Sequence, residues 1–269
     1  MLNLTQRMKC IADMVTPGKR VADIGCDHAL ISIYLAKQGI AEKVYAMDVS
    51  KGPLSAADKN IALYGVEDKV HTRLSNGFSK LKENESDLAI ISGMGGMLIV
   101  DILSLALDKL GDGYELVLSP QSDIYEVRKF LRENDFQIID ENMLIEDGKF
   151  YNVLKAVKIE KRINNNLDDK TEDKTEDKTE DKTDITINDN DFIDYMTSYA
   201  TDQDFYDTYG KVLIEKKSPI LKKYAEIKLE KLNNVYCKLS GKEGDLIIQR
   251  MSELNKEIHD LGKLLDMIR

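Results

Sequence analysis

The chain has 269 residues, of which 42% are hydrophobic and 32% charged, with a formal net charge of −10. That is the composition of a water-soluble globular protein of one or two domains, and its acidity excludes indiscriminate nucleic-acid binding. No run reaches the ~18 apolar residues of a membrane span, the opening MLNLTQRMKCIADMV has charges inside its apolar pattern and no cleavage-site signature, and Cys10, Cys26 and Cys237 fit neither a disulfide framework nor a zinc spacing. A reduced cytoplasmic setting, without membrane or metal, is expected.

Leu4, Met8, Ile11, Ala12 and Val15 fall on one helical face, and Pro17-Gly18 ends that helix. A first strand follows at 20–24, stopped by Gly25, then a helix over 29–38, a strand over 43–47 and a helix over 53–64. Strands at 70–74 and 87–92, a helix over 97–109, a strand at 114–118 and a helix over 124–134 continue the alternation. Two alternating runs, 136–146 and 150–158, joined at Glu146-Asp147-Gly148-Lys149, read as a hairpin added to the sheet. The whole predicts an α/β fold with a doubly wound, mostly parallel seven-stranded Rossmann-like sheet over 1–158.

From Asp169 to Thr183 the unit Asp-Lys-Thr-Glu repeats with period four. A helix would stack like charges at i,i+4, which repel, and nothing apolar is available to bury, so 159–190 is expected to be a disordered acidic linker. Residues 158–191 carry seven Lys and Arg against twelve Asp and Glu, half of the net charge. An acidic lure for a basic partner is the sharper reading; a neutral, expandable insertion is the plainer one. Beyond it, Ile247, Met251, Leu254, Ile258, Leu261, Leu265 and Ile268 form a heptad. With Leu229, Leu232, Tyr236 and Leu239 ahead of the turn at 240–245, they predict an antiparallel helical coiled-coil domain over 191–269.

In a doubly wound sheet a ligand lies beyond the C-terminal strand ends. The first strand is followed by Asp23-Ile-Gly25-Cys26-Asp27-His28-Ala29, the second ends at Asp48-Val49, the third leads to Asn76-Gly77, the fourth to Gly93-Met94-Gly95-Gly96, and the fifth to Ser119-Pro120-Gln121. Gly25 permits a tight turn and close backbone approach, and Asp48 suits a ribose. The dinucleotide pattern G-x-G-x-x-G is absent, because Asp27 and Leu30 stand where its second and third glycines would fall. A pyrophosphate would be repelled by Asp27, whereas the ammonium and sulfonium of S-adenosylmethionine favour nearby carboxylates. Asp23 and Asp27 therefore fit S-adenosylmethionine better than NAD.

The run Asp23 to Ala29 together with Gly93-Met-Gly-Gly96 resembles the bacterial tRNA (adenine-22 N1) methyltransferases, and Tyr209-Gly-Lys-Val-Leu-Ile-Glu and the Lys-Ser-Pro at 217–219 are similar to that family's entry into a C-terminal coiled coil. Ser119-Pro120-Gln121 departs from the family's Gln-Pro-Asn, and the acidic repeat is not a family feature. The resemblance implies methyl transfer to adenine N1 in the tRNA D-arm. Asp23, Gly25, Cys26, Asp27, Asp48, Val49, Asn76, Gly77, Gly93, Met94 and Gly95 would bind the cofactor. Asp27 would also be catalytic, Gly96 and Pro120 would form a slot for the base, and Arg7, His28, Lys216, Lys217, Lys222 and Lys223 would meet the RNA.

Plainer roles stand beside these. Asp27 is also a good cap for the helix beginning near Ala29, His28 a helix-start packing residue, Cys26 turn packing, Asn76-Gly77 a simple turn, and the lysines a solvated face. A methyltransferase for a small molecule or protein, and a non-catalytic scaffold with a relic cofactor fold, are the alternative functions. A monomer is expected.

Overall fold

The computed structural model describes residues 2–160 and 202–269. The linker expected over 159–190 therefore falls outside the described residues except for its first two positions, and 191–201 lie outside as well. Helix α1 (Gln6–Asp13) is capped by Thr5, whose side chain accepts from the Met8 amide. There follow β1 (Arg20–Ile24), α2 (Leu30–Lys37), β2 (Lys43–Asp48), α3 (Lys51–Tyr64), β3 (Val70–Leu74), β4 (Leu88–Ser92), α4 (Gly96–Ser104), β5 (Glu115–Ser119), α5 (Ile124–Glu133), β6 (Phe136–Glu146) and β7 (Lys149–Lys158).

The seven strands stand in the order β3-β2-β1-β4-β5-β7-β6. The first five are parallel and β7 enters antiparallel between β5 and β6. The central strands are apolar on both sides because helices cover both faces. Alternation sorts their side chains: Val21, Leu88 and Ile90 point into a core with Ile11, Ile33, Leu35 and Ala57, while Ala22, Ile24, Ala89 and Ile91 point into the opposite core with Ile99, Leu103, Val127 and Leu131. The predicted hairpin turn forms with Asp147 at φ 50 and Gly148 at φ 74, the left-handed pair that matches strand twist.

One helix is shorter than its apolar pattern predicts. Helix α4 stops at Ser104 rather than running to 109, and Leu107–Lys109 form a separate 3-10 turn. The Ser104 hydroxyl donates to the Val100 carbonyl, a local bond that competes with the regular ladder.

Past 202, helix α6 (202–209) and α7 (Lys211–Glu215) lead into α8 (Pro219–Leu239) and α9 (Asp245–Met267), which pair as a helical hairpin. Ser218 caps α8 and Pro219 opens it, the position where a missing amide costs least. A third core, Phe205, Tyr209, Leu213, Leu221, Ala225, Leu261 and Leu264, with Met143 of β6 against it, roots the hairpin on the sheet edge. Leu264 is fully buried and Leu265 only partly, so the buried stripe departs from the heptad there. The base of α9 packs on α6 and α7 as well as on α8, which widens its apolar face. Towards the turn the covering stops, and Leu246 is 82% exposed.

Candidate active site

Five parallel strands end on one side of the sheet, and the strand order reverses between β1 and β4. There the turn after β1 closes tightly. Gly25 sits at φ 74, and the amides of Gly25 and Cys26 both donate to the Met47 carbonyl, at 2.8 and 3.0 Å, tying the turn to β2. A Cβ on Gly25 would lie 2.7 Å from Met94 Cε. Asp27 and Ala29 are held at φ 50 and 57, a region that costs a residue with a Cβ of order 1 kcal/mol.

Asp27 does not cap α2. Ala29 occupies the cap position and no side chain bonds the first turn there, because left-handed backbone at both 27 and 29 carries the Asp27 carboxylate outward. Its side chain is 71% exposed, 3.5 Å from His28 Nε2. The His28 carbonyl accepts from the Asn60 side chain.

Asp23 is the opposite case. It is 3% exposed and accepts a 2.6 Å bond from the Ser32 hydroxyl. Burial pushes its pKa up to about 6 against the pull of Ser32, and the Asp48 charge adds to the rise. Burial, and then the charges of Asp23 and Asp48, push the Cys26 thiol well above the ordinary range, an environment that disfavours a thiolate.

These groups enclose a cavity of about 280 Å³. Asp23, Gly25, Cys26, Asp27 and His28 line it from the first turn, Ser92 and Gly93 from the end of β4, Gln121 from the end of β5, and Arg7 and Met8 from α1. Pro120, expected in the base slot, is buried and does not line the cavity; Gln121 does. Asp48, Val49, Asn76 and Gly77 stand outside its walls at the ends of β2 and β3. There the Asp48 carboxylate accepts from the Ser50 amide at 2.8 Å, and its carbonyl accepts from the Ser75 amide.

The loops after β4 and β5 are joined, with the Gly93 amide donating to Ser119, Gln121 to Met94 and Gly96 to Ser122. A Cβ on Gly96 would fall 2.5 and 2.6 Å from the carbonyl oxygens of Ser122 and Asp123, so only glycine fits there.

The four lysines lie away from the cavity. Lys216 pairs with Asp140 and donates to the Glu141 carbonyl, Lys217 donates to the Arg269 carbonyl, and Lys222 and Lys223 are exposed on α8. Gln121 and Met8, which line the cavity, and Ser32, buried behind it on Asp23, are residues that sequence reasoning missed. The only available signal among them was Ser32, placed to reach Asp23 from the first turn of the helix.

Residues 4–154 match the model of a methyltransferase domain. This chain belongs to the methyltransferase-domain family. Its domain is similar to the tRNA (adenine(22)-N(1))-methyltransferase of Bacillus subtilis, at 34% identity over 155 residues, which cover 58% of this chain and 65% of that relative. A Mycoplasma pneumoniae relative is 34% identical over 159 residues, 58% of this chain and 72% of that one. Among solved structures, the methyltransferase domain and helical hairpin together resemble the tRNA methyltransferase TrmK of B. subtilis, with TM-score 0.74, 25% identity, and 98% of this chain and all of that one covered. A Rossmann-superfamily protein of Streptococcus agalactiae has TM-score 0.74, 27% identity and 98% of both chains covered.

Proposed function

We propose that this protein transfers the methyl group of S-adenosylmethionine to N1 of adenine 22 in the D-arm of tRNA. The observation that carries the reading is likeness along both parts of the chain. The methyltransferase domain alone is shared by enzymes with many acceptors, but the hairpin that follows it is also matched in the solved tRNA methyltransferase of B. subtilis.

The residues fit the donor. The cavity at the switch point is lined by carboxylates and a positive-φ glycine, suited to an ammonium and a sulfonium. S-adenosylmethionine, when bound, supplies an electrophilic methyl group on its sulfonium. Gly25 lets the backbone come close, Asp23 faces the cationic end, and Asp48 accepts from the ribose hydroxyls. Val49, Asn76 and Gly77 complete that rim, while Met94 and Gly95, outside the cavity lining, support it from behind Gly25 and Gly93.

Adenine N1 has an in-plane lone pair, so no strong base is required; the protein must orient the base and exclude water. The product ring is cationic. The Asp27 carboxylate, held out at the mouth, stabilises that charge as it develops or accepts from the exocyclic amine. The joined loops around Gly93 and Gly96 hold the base, which must be turned out of the RNA to be reached. Lys222 and Lys223, free of intramolecular ion pairs among the described residues, offer phosphate contacts on α8.

The test is methyl transfer from labelled S-adenosylmethionine to unmodified tRNA, with the nucleoside identified and its position mapped by reverse-transcription stops. N1-methyladenosine at position 22 supports the donor, acceptor and site together. Donor binding without transfer to tRNA would keep the methyltransferase and discard the RNA.

A further inference from the structure

Gln121 is the only carboxamide among the residues that line the cavity, and it is exposed. Its side chain makes no hydrogen bond among the described residues. Its backbone, by contrast, is pinned. The Gln121 amide donates to the Met94 carbonyl at 3.0 Å, the Ser119 carbonyl accepts from Gly93, and the Ser122 carbonyl accepts from Gly96. The Ser119 hydroxyl donates to the Asn152 carbonyl at 3.0 Å, which ties the same stretch to β7. A fixed backbone thus presents an unspent donor and an unspent acceptor to the cavity, side by side in one plane.

We infer that Gln121 grips the target adenine by its N6–N7 edge, an inference that rests on the acceptor proposed above. The sheet sets the place. Asp48 ends β2 and the Gly25 turn follows β1, so a donor with its ribose at Asp48 carries its methyl group towards β4 and β5, the next strands in order. The base therefore meets the ends of those two strands, where Gly93 and Gln121 line the cavity. The chemistry sets the mode. N1 must stay open to the methyl group, so the protein cannot hold the ring through that atom. The N6–N7 edge offers a donor and an acceptor, and a carboxamide meets both at once: Oε1 accepts from N6, and Nε2 donates to N7. The ionised aspartates of the cavity only accept, and Arg7 only donates, so neither spans the two groups. Guanine shows two acceptors, O6 and N7, on the same edge, which one carboxamide cannot satisfy together. The contact thus selects the base as well as orienting it, and leaves the other N6 hydrogen for the Asp27 carboxylate.

The experiment is single-turnover methyl transfer from labelled S-adenosylmethionine to tRNA carrying adenine, 7-deazaadenine or unsubstituted purine at position 22, with the full chain, Gln121→Met and Gln121→Glu. 7-Deazaadenine lacks the N7 acceptor and purine lacks the N6 amine, while both keep N1. The expected result for Gln121→Met is transfer to adenine slowed about 10- to 100-fold, transfer to the two analogues slowed only a few-fold, and an unchanged donor Kd. Gln121→Glu keeps an acceptor for N6 but repels N7, so it should match the unsubstituted chain on 7-deazaadenine alone; it stands in if Gln121→Met does not fold. Equal slowing on all three tRNAs would reduce Gln121 to a loop-shaping residue and overturn the inference. So would unslowed transfer to adenine. Failure of the unsubstituted chain on adenine-22 tRNA would overturn the acceptor too, a failure recognisable because it precedes any substitution.

Discussion

Asp23 and Asp27 are four residues apart, and burial gives them different chemistry. The Asp23 carboxyl titrates at about 6 rather than at its ordinary 3.8. Between those two values the folded chain holds a proton that the unfolded chain has released. Stability therefore falls as pH rises from about 4 to 6, by about 3 kcal/mol at most, and stays at the lower level above. Asp23→Asn should abolish this slope in urea unfolding curves while weakening donor binding at pH 7. In the unsubstituted chain, donor affinity should climb from pH 5 to 7 as Asp23 ionises; a flat titration profile would contradict its role. Asp27→Ala should lower turnover about 100-fold with little change in donor Kd, and unchanged turnover would end its catalytic assignment. Gly96→Ala, whose Cβ would collide with the Ser122 and Asp123 carbonyls, should cost about 2–4 kcal/mol in denaturant unfolding. The first-turn residues were legible because they are neighbours in sequence and one turn gathers them. Arg7 and Gln121 were not legible as partners of that turn. What unites them is the seating of α1 against the β6–β7 hairpin and the joining of two loops, and neither leaves a local pattern.

The strands were legible because glycine, proline and charge bound each apolar run, and the inward and outward alternation of β1 and β4 follows directly from residue order. The end of α4 was hidden because Ser104 acts through a hydrogen bond rather than through hydrophobicity. The fully buried Leu264 was hidden because its extra neighbours come from distant sequence. A buried ion pair joins α5 to β6 and carries a contact onward to α6, beside the apolar core that roots the hairpin. Arg128 Nε lies 2.8 Å from Glu141, with the two side chains 3% and 2% exposed, and Arg128 Nη1 donates to the carbonyls of Asp207 and Thr208. Arg128→Met leaves the Glu141 charge buried alone, and a destabilisation of about 3–5 kcal/mol is expected in thermal or urea unfolding. Removing everything from 202 onward would also uncover Met143, so a cleaner test of the hairpin shortens only its outer half, beyond Ala225 and before Leu261. That variant keeps Lys222 and Lys223 and should retain donor binding, whereas Lys222→Ala with Lys223→Ala should weaken tRNA binding with a shallower salt dependence; unaltered tRNA affinity in the lysine variant would exclude these two as phosphate contacts.

At the scale of the whole molecule, the cavity and the end of β7 lie at opposite ends of the sheet. The cavity sits at the C-terminal ends of the parallel strands, whereas β7, running the other way, delivers the chain to the opposite end. The Lys158 amide donates to Tyr114 and its carbonyl accepts from Gly113, both just ahead of β5. Deleting 168–184 should therefore leave methyl transfer nearly intact, and a large loss in the labelled-donor assay would show that the repeat takes part. The exit point bears on inheritance as well. Each Asp-Lys-Thr-Glu unit is a whole number of codons, so slippage during replication can add or drop copies without shifting the reading frame. Such copies fall outside the described residues, after a strand that leaves the sheet at the end away from the reacting groups. Lineages carrying different numbers of units should then share one turnover number, and the tract can drift in length under weak selection while the enzyme keeps its chemistry.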